Sequence, residues 1–274
     1  MRRNFIILCI IALLAFSAAA FVLCGKYINR PDAAISDNSL MQVLKAKKLV
    51  LGLDANFPPM SFYNSSGDFI GFDVDMMKEV CSRLGIALIT KPINWDAKED
   101  ELNTASIDCI GSMSVIPSSI RDMNLSESYI KEDLIFVVHG SSKAKWLRDL
   151  KGKRIGVQSG STTQEALEAL DIYKDLSAVL YDDNLAILKA LKPGELDAGL
   201  VDSLTAYYFI DIEDNEQYFV LGESLGEEDF AIGFRKADKT LRDKVQEIIS
   251  AMKADGTLGE ISQKWFGSDI TIVK

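Results

Sequence analysis

The stretch Leu49 to Met77, LVLGLDANFPPMSFYNSSGDFIGFDVDMM, decides the fold. An apolar run (Leu49, Val50, Leu51) breaks at Gly52 and passes a turn-rich segment with an acid and aromatics. It restarts at Phe72 with the 3.6-residue period of a helix. This pattern is a strand delivering a loop. Open α/β sheets bind ligands at the carboxyl ends of their strands, because the chain turns there. Asp54 and Phe57 leave that end, one a charged acceptor and the other a flat apolar face. The alternative is an acidic surface loop over a core phenylalanine.

Outward from this stretch the grammar continues. Ser39 is read as the cap of a short helix, Leu40 to Ala46, and Leu49 to Leu53 is the first strand. The helix from Phe72 to Leu84 stops at Gly85, and Ile86 to Thr90 is a second strand. Asn94-Trp95-Asp96 opens another strand-end loop before a polar helix from about Lys98 to Asn103. The segment Ile107 to Ser114 is a strand running into small polar residues, and Pro117, Ser118 and Ser119 start a helix with serine as cap. Leu134 to His139 is β-rich. The alternation of strand and helix predicts an α/β fold with a mainly parallel sheet flanked by helices.

A second unit repeats this order. Strand Arg154 to Val157 enters a Gly/Ser/Thr loop (Ser159 to Thr163) and then an amphipathic helix with Ala166, Leu167 and Leu170. LKPGELDA (Leu191 to Ala198) echoes LNTASIDC (Leu102 to Cys109). Phe230 to Phe234 is a further strand, and Leu241 to Lys253 and Leu258 to Phe266 are closing helices. Two such units with polar strand-end loops predict a cleft between them.

At 274 residues the chain exceeds one average domain. Its net charge is −10, or −12 without the first 24 residues, whose only charges are Arg2 and Arg3. That balance argues against nucleic acid as a partner, since phosphates need a basic footprint. Met1-Arg2-Arg3 followed by an almost wholly apolar run from Phe5 to Cys24 reads as an export signal. Three fates stay open for residues 1–24. Cleavage can follow Ala20, with Ala18 at the −3 position; the run can stay as an anchor of the ~20 residues a bilayer requires; or Cys24 can be lipidated. Phe21, Val22 and Leu23 depart from the small residue that usually precedes a lipidated cysteine. All three fates put the body outside the cytoplasm. Residues 25–44 are read as a tether and short helix. Cys81 and Cys109 are either one disulfide or two buried thiols, and spacing does not choose between them.

The catalytic inventory is poor. His139 is the only histidine and ends an apolar strand, and there is no HExxH, CxxC, Walker or GxGxxG pattern. The loops look built to bind. Ser161 and Thr162 put hydroxyls and N–H groups at a helix start, which suits either an anion or simple N-capping. Ser112 and Ser114 offer hydroxyls from the other unit, or pack at a strand end. Asp202 ends its strand as Asp54 ends another, and suits an ammonium group or a hinge. Phe57 and Trp95 suit an apolar moiety or a cation, with core packing as the alternative.

These residues resemble the solute-binding proteins of bacterial polar amino-acid ABC transporters (solute-binding family 3). The resemblance rests on Gly71-Phe72-Asp73-Val74-Asp75-Met76, GLDANFPPMSF (Gly52 to Phe62), Asn124-Leu125-Ser126 before Tyr129, LKGKRIGVQSGSTTQEAL (Leu150 to Leu167) and MKADGTLGEISQKWFG (Met252 to Gly267). It implies a two-lobe, two-hinge periplasmic-binding-protein fold (type II), with lobe 1 from residues 45–130 plus 231–274 and lobe 2 from 131–230. Asp54, Phe57 and Trp95 would line the side-chain pocket. Ser112, Met113 and Ser114 would run along the ligand backbone, Ser161 and Thr162 would meet its carboxylate, and Asp202 its amino group. The family usually carries an arginine where this chain has Ser119; Arg121 lies two positions on, about 200° around a helix. The resemblance implies an extracytoplasmic, monomeric receptor, with no cofactor or metal, that captures an amino acid or related small amine for an ABC permease. Its only membrane contact would be the N-terminal segment. The alternatives are an exported dehydratase of the cyclohexadienyl dehydratase type on the same fold, and the sensor module of a signalling receptor.

Overall fold

The computed structural model describes residues 37–191, 195–213 and 217–274. The export segment, Cys24 and nearly all of the tether lie outside the described residues. The body opens with α1 (Ser39–Ala46), β1 (Lys48–Leu53) and a small antiparallel sheet of β2 (Asn56–Phe57), β3 (Ser61–Tyr63) and β4 (Phe69–Ile70). Then follow α2 (Phe72–Leu84), β5 (Ala87–Pro92), α3 (Lys98–Asn103), β6 (Cys109–Ser114), α4 (Pro117–Asp122), β7 (Met123–Leu125) and β8 (Ile130–His139). The middle of the chain gives β9 (Arg154–Gln158), α5 (Thr162–Glu168), β10 (Ser177–Tyr181), α6 (Asn184–Leu191), β11 (Ala198–Asp202) and α7 (Ser203–Glu213). It ends with β12 (Tyr218–Arg235), α8 (Lys239–Ala254) and α9 (Thr257–Phe266).

The main sheet runs β10-β9-β11-β8-β12-β6-β1-β5, with β7 also on β12. Two parallel arrays lie in it. In one, β1 pairs with β5 and β6; in the other, β9 pairs with β10 and β11. The antiparallel pair β8 and β12 joins them, with Glu132 opposite Glu228 and Ile130 opposite Phe230. The carboxyl ends of β1, β6, β9 and β11 are therefore the places where loops meet.

Each array has its own buried core. Around β1, the residues Leu49, Leu51 and Leu53 pack with Met76, Met77 and Val80 of α2 and with Leu241, Val245 and Ile249 of α8. Strand β8 supplies both faces of the other array. Leu134, Phe136 and Val138 pack with Ile155 and Val157, whereas Ile135 and Val137 pack with Ile187 and Leu188. This is the two-residue period of a strand covered on both sides. Cys81 and Cys109 are free and buried in the first core.

Two expected caps differ. Ser39 is the first residue of α1, and its hydroxyl instead accepts from the Leu241 N–H (3.2 Å) and pairs with Thr240 (3.1 Å), which ties α1 to α8. With Val43 in the core, α1 belongs to the folded body rather than to a tether. At α4 the cap position is Ile116, with Pro117 in the first turn and no side-chain cap, and Ser119 is buried inside the helix.

The turn into α2 depends on Gly71, whose φ is +141°. A Cβ there would lie 2.2 Å from the Met60 carbonyl oxygen and 2.8 Å from the Ser61 nitrogen, both backbone. Gly71→Ala is expected to cost about 2–4 kcal/mol, adding backbone strain to overpacking. Gly67, at φ +81° with open space around it, is the control, since Gly67→Ala carries only the backbone term. Thermal denaturation should lower the melting temperature of the first variant more than that of the second; equal shifts would remove the steric argument.

Candidate binding site

Asp54 follows β1 and is held on three sides. Its Oδ1 accepts from the Asn56 N–H (2.8 Å), its carbonyl accepts from the Ser61 hydroxyl (2.7 Å), and its Oδ2 accepts from Gln158 Nε2 (2.6 Å). Phe57 meets Phe230 edge to face, with centroids 5.8 Å apart. Trp95 starts a single 3₁₀ turn that the Asn94 side chain caps at the Asp96 N–H (3.0 Å). The Lys98 ammonium lies 5.3 Å from the Trp95 ring centre and donates to the Gly160 carbonyl (2.8 Å).

Ser114 ends β6 and Ser112 lies two residues before it. Ser112 is in the left-handed region at φ +48°, and a buried network holds it there. Its N–H donates to the Tyr129 hydroxyl (2.9 Å) and its own hydroxyl donates to Asp73 Oδ2 (2.8 Å). The Tyr129 hydroxyl donates to Asp73 Oδ1 (2.7 Å). Neighbouring Gly111 makes room for this, because a Cβ there would sit 2.5 Å from Asp73 Oδ2.

From the other array, Gln158 ends β9, and Ser161 caps α5. The Ser161 hydroxyl accepts from the Gln164 N–H (3.3 Å) and donates to the Gln158 carbonyl (2.7 Å). Thr162 donates to Glu228 Oε2 (3.0 Å). Asp202 ends β11 and accepts from Asn184 Nδ2 (2.6 Å).

Asp54, Phe57, Trp95, Ser112 and Ser114 form one wall of a cavity; Gln158, Ser161, Thr162 and Asp202 form the other, with Phe230 between. It holds about 20 Å³ for the centre of a water-sized sphere, room for one water. An adjoining cavity of about 200 Å³ by the same measure shares Trp95, Ser114 and Thr162 and adds Met113, Ser119 and Arg121. Of the predicted site residues, these three lie outside the inner cavity. Met113 is buried among Ile107, Ile110 and Met123. The Arg121 side chain is 70% exposed and pairs with Asp122 at 2.6 Å.

The electrostatics are acidic. Burial pushes the Asp54 carboxyl up to about 6, against the hydrogen bonds from Asn56 and Gln158 that pull it down. Burial likewise raises Asp73 to about 7 despite its bonds to Tyr129 and Ser112, and raises Glu228 to about 7. Glu132 and Asp202 shift upward for the same reason. Glu132, Asp202 and Glu228 bring one carboxylate oxygen each within 4.8 Å of one another, so this all-oxygen trio is where a hard cation would fit. Lys98, by contrast, is lowered by burial.

Sequence pattern does not single out Gln158, Phe230, Asn184, Glu132 or Glu228 as site residues. Gln158 carries a usable signal, a polar residue at a strand end before a Gly/Ser loop. The two glutamates sit in charged runs (Lys131-Glu132-Asp133 and Glu227-Glu228-Asp229) that read as solvent-facing. One GxSxG match, Gly222 to Gly226, lies inside β12, where Ser224 bonds Asp133 (3.0 Å), and His139 instead contacts Ser141 (2.7 Å). A nucleophile elbow requires a strand-turn-helix, which this segment lacks.

A cavity at the carboxyl ends of strands from two parallel arrays defines a two-lobe binding protein. The sequence profile of the bacterial extracellular solute-binding proteins, family 3, matches residues 49–268. The chain belongs to that family, and its fold is the two-lobe periplasmic-binding-protein fold of type II. An ABC uptake transporter substrate-binding protein from Streptococcus pneumoniae, solved with bound histidine, is 34% identical, with a TM-score of 0.82 over 86% of this chain and 99% of that one. The structure of Tv2483 bound to L-arginine is 30% identical, with a TM-score of 0.83 over 87% and 98%. The L-cystine-binding protein TcyJ of Escherichia coli (strain K12) is 29% identical over 242 residues, 87% of this chain and 90% of that protein. No helix among the described residues is long and apolar enough to cross a membrane.

Asp73 gives the site a pH signature. Its carboxyl moves from an ordinary 3.8 to about 7 on folding, so between these values the folded state keeps a proton that the unfolded state has released. Stability from this group is thus present at low pH and lost as pH rises from about 4 to about 7, by on the order of 1 kcal/mol per pH unit. Asp54 adds the same sign up to about 6. Denaturant titrations between pH 4.5 and 7.5 should show falling stability, with a shallower slope in Asp73→Asn. An unchanged slope in that variant would sink the assignment.

Proposed function

We propose that this protein is an extracytoplasmic receptor that captures an amino acid or related small amine between two closing lobes and presents it to an ABC permease. The observation that carries this is the meeting of Asp54 and Gln158 from one strand end each across a single cavity with Asp202. Further bonds of this kind run from Asn56 to Asp183 (2.9 Å), from Lys98 to the Gly160 carbonyl, and from Thr205 to the Pro58 carbonyl (2.8 Å). They fit a closed state that opens to admit a solute. In this reading lobe 1 comprises residues 45–130 with 231–274, extended by α1, and lobe 2 comprises residues 131–230. The body acts as a monomer, held at the outer face of the membrane or released from it according to the fate of residues 1–24. Asp54, Phe57 and Trp95 receive the ligand side chain, and Asp202 its amino group. The protein binds without catalysing, so prephenate and arogenate should yield no product when incubated with it.

A thermal-shift screen of amino acids and amines tests the reading. A true ligand at 100 times its dissociation constant adds about 2.7 kcal/mol of stability. No shift with any of them would overturn the proposal. In calorimetry, Asp202→Ala should weaken binding at least tenfold, and more than Arg121→Ala does. The reverse order would make Arg121 the carboxylate clamp.

A further inference from the structure

The polar groups around the cleft are unbalanced. Most of its hydroxyl donors are already engaged: Ser112 on Asp73, Ser161 on the Gln158 carbonyl, and Thr162 on Glu228. The amides are engaged too, Gln158 Nε2 on Asp54 and Asn184 Nδ2 on Asp202. Acceptors remain. Glu132 Oε1, Glu228 Oε1 and Asn184 Oδ1, of residues that adjoin Asp202 without lining the inner cavity themselves, receive no hydrogen bond from a nitrogen or hydroxyl of the described residues. These three residues are only 4%, 6% and 1% exposed. The amide head of Asn184 already sits on Asp202, so its unpartnered oxygen belongs to the same cluster as the three carboxyls.

A buried acceptor without a donor costs roughly 1–3 kcal/mol, more if charged. Three carboxyls within 4.8 Å cannot all stay ionised without a cation. Among the described residues the protein supplies none here. No lysine or arginine lines the inner cavity, Arg121 points to solvent with Asp122, and Lys98 is engaged on main-chain carbonyls. A ligand carboxylate would meet only two free side-chain donors on the inner cavity, the Ser114 hydroxyl and the Trp95 indole N–H, and no charged one, whereas an ammonium or guanidinium, which only donates, would be matched by Asp54 and Asp202. Phe57, Trp95 and Phe230 add aromatic surface suited to a cation or its alkyl chain.

Building on the receptor reading above, we infer that the solute is a carboxylate-free organic cation. Its ammonium is seated on Asp202, where Glu132 and Glu228 add their field, and its chain runs past Phe57 and Trp95 towards Asp54. The test compares amines with the amino acids that differ from them only by the carboxylate: cadaverine with lysine, agmatine with arginine, and histamine with histidine. In calorimetry on the exported body, at least one amine should bind tenfold or more tightly than its parent amino acid. Glu228→Gln and Asp202→Asn should each weaken that amine at least tenfold, while the ligand-free variants melt no lower than the parent protein. Parent amino acids binding as tightly as their amines, or tighter, would overturn the inference and leave the receptor reading standing. So would binding confined to other amino acids such as glutamine or cystine. Stabilisation by Mg²⁺ or Ca²⁺ alone, reversed by chelation, would reassign the trio to a metal and overturn it as well. No response to any amino acid or amine would remove the receptor reading itself.

Discussion

Everything in the sheet between the two arrays passes through the pairing of β8 with β12, and that pairing sets two glutamates face to face. Glu132 and Glu228 are register partners in an antiparallel ladder, both buried, with Asp202 beside them. Like charges directly opposite one another destabilise a strand pair, and burial multiplies the cost. The ladder tolerates them by pushing protons onto the trio and by giving each carboxyl some donors. The Ser203 N–H lies 2.6 Å from Glu132, and Thr162 serves Glu228. The connection between the two arrays therefore also carries a cluster of three buried carboxyls. A solute that changes the charge there acts on the joint itself.

The surrounding scaffold explains how such a joint stays ordered. On the lobe 1 side, Asp73, Tyr129 and Ser112 form a closed set of bonds behind β6, fixing a serine in a backbone region that seldom takes one. On the other side a chain of amides, Gln158 to Asn184 at 3.4 Å and Asn184 to Asp202, holds the acids of the two walls apart. In the first network each side chain is held by two bonds, whereas in the second the Asn184 Nδ2 reaches both Gln158 and Asp202 and its Oδ1 has no partner among the described residues. The cavity is small because these side chains close on one another.

Much of this was legible in the sequence, and the reason is local. The strand-loop-helix of Leu49 to Leu84, the stop at Gly85 and the helix Lys98–Asn103 follow from apolar period and from glycine or capping chemistry. Asp54, Phe57, Trp95, Ser112, Ser114, Ser161, Thr162 and Asp202 all stand at strand ends, where position alone marks a residue as a candidate, and all line the inner cavity. The glutamates were hidden for the opposite reason. Charged runs in β8 and β12 look solvated until the crossing of the two strands and the fold of β11 bury one member of each. Such burial is tertiary, although the two-residue strand period does put Glu132 on the face of Ile130 and Leu134, and Glu228 on the face of Phe230. Ser39 and Ser119 misled in the same way: each has the composition of a cap, and each is claimed by a neighbour or by packing instead.

The bond between Asp54 and Gln158 sets what a ligand must offer. In the closed state a neutral amide N–H fills one lone pair of Asp54 across the cleft at 2.6 Å. A neutral solute that entered would replace one neutral donor by another, with little net gain against the loss of the cross-cleft contact. A cation would exchange a neutral donor for a charged one, adding Coulomb attraction to a hydrogen bond that the carboxylate already strengthens. The same exchange at Asp202 would release Asn184 or add to it, and would relieve the repulsion from Glu132 and Glu228. Selectivity for charge thus needs no basic residue and no specific shape in the pocket. On the proposed cation reading it follows from what the acids already hold across the cleft.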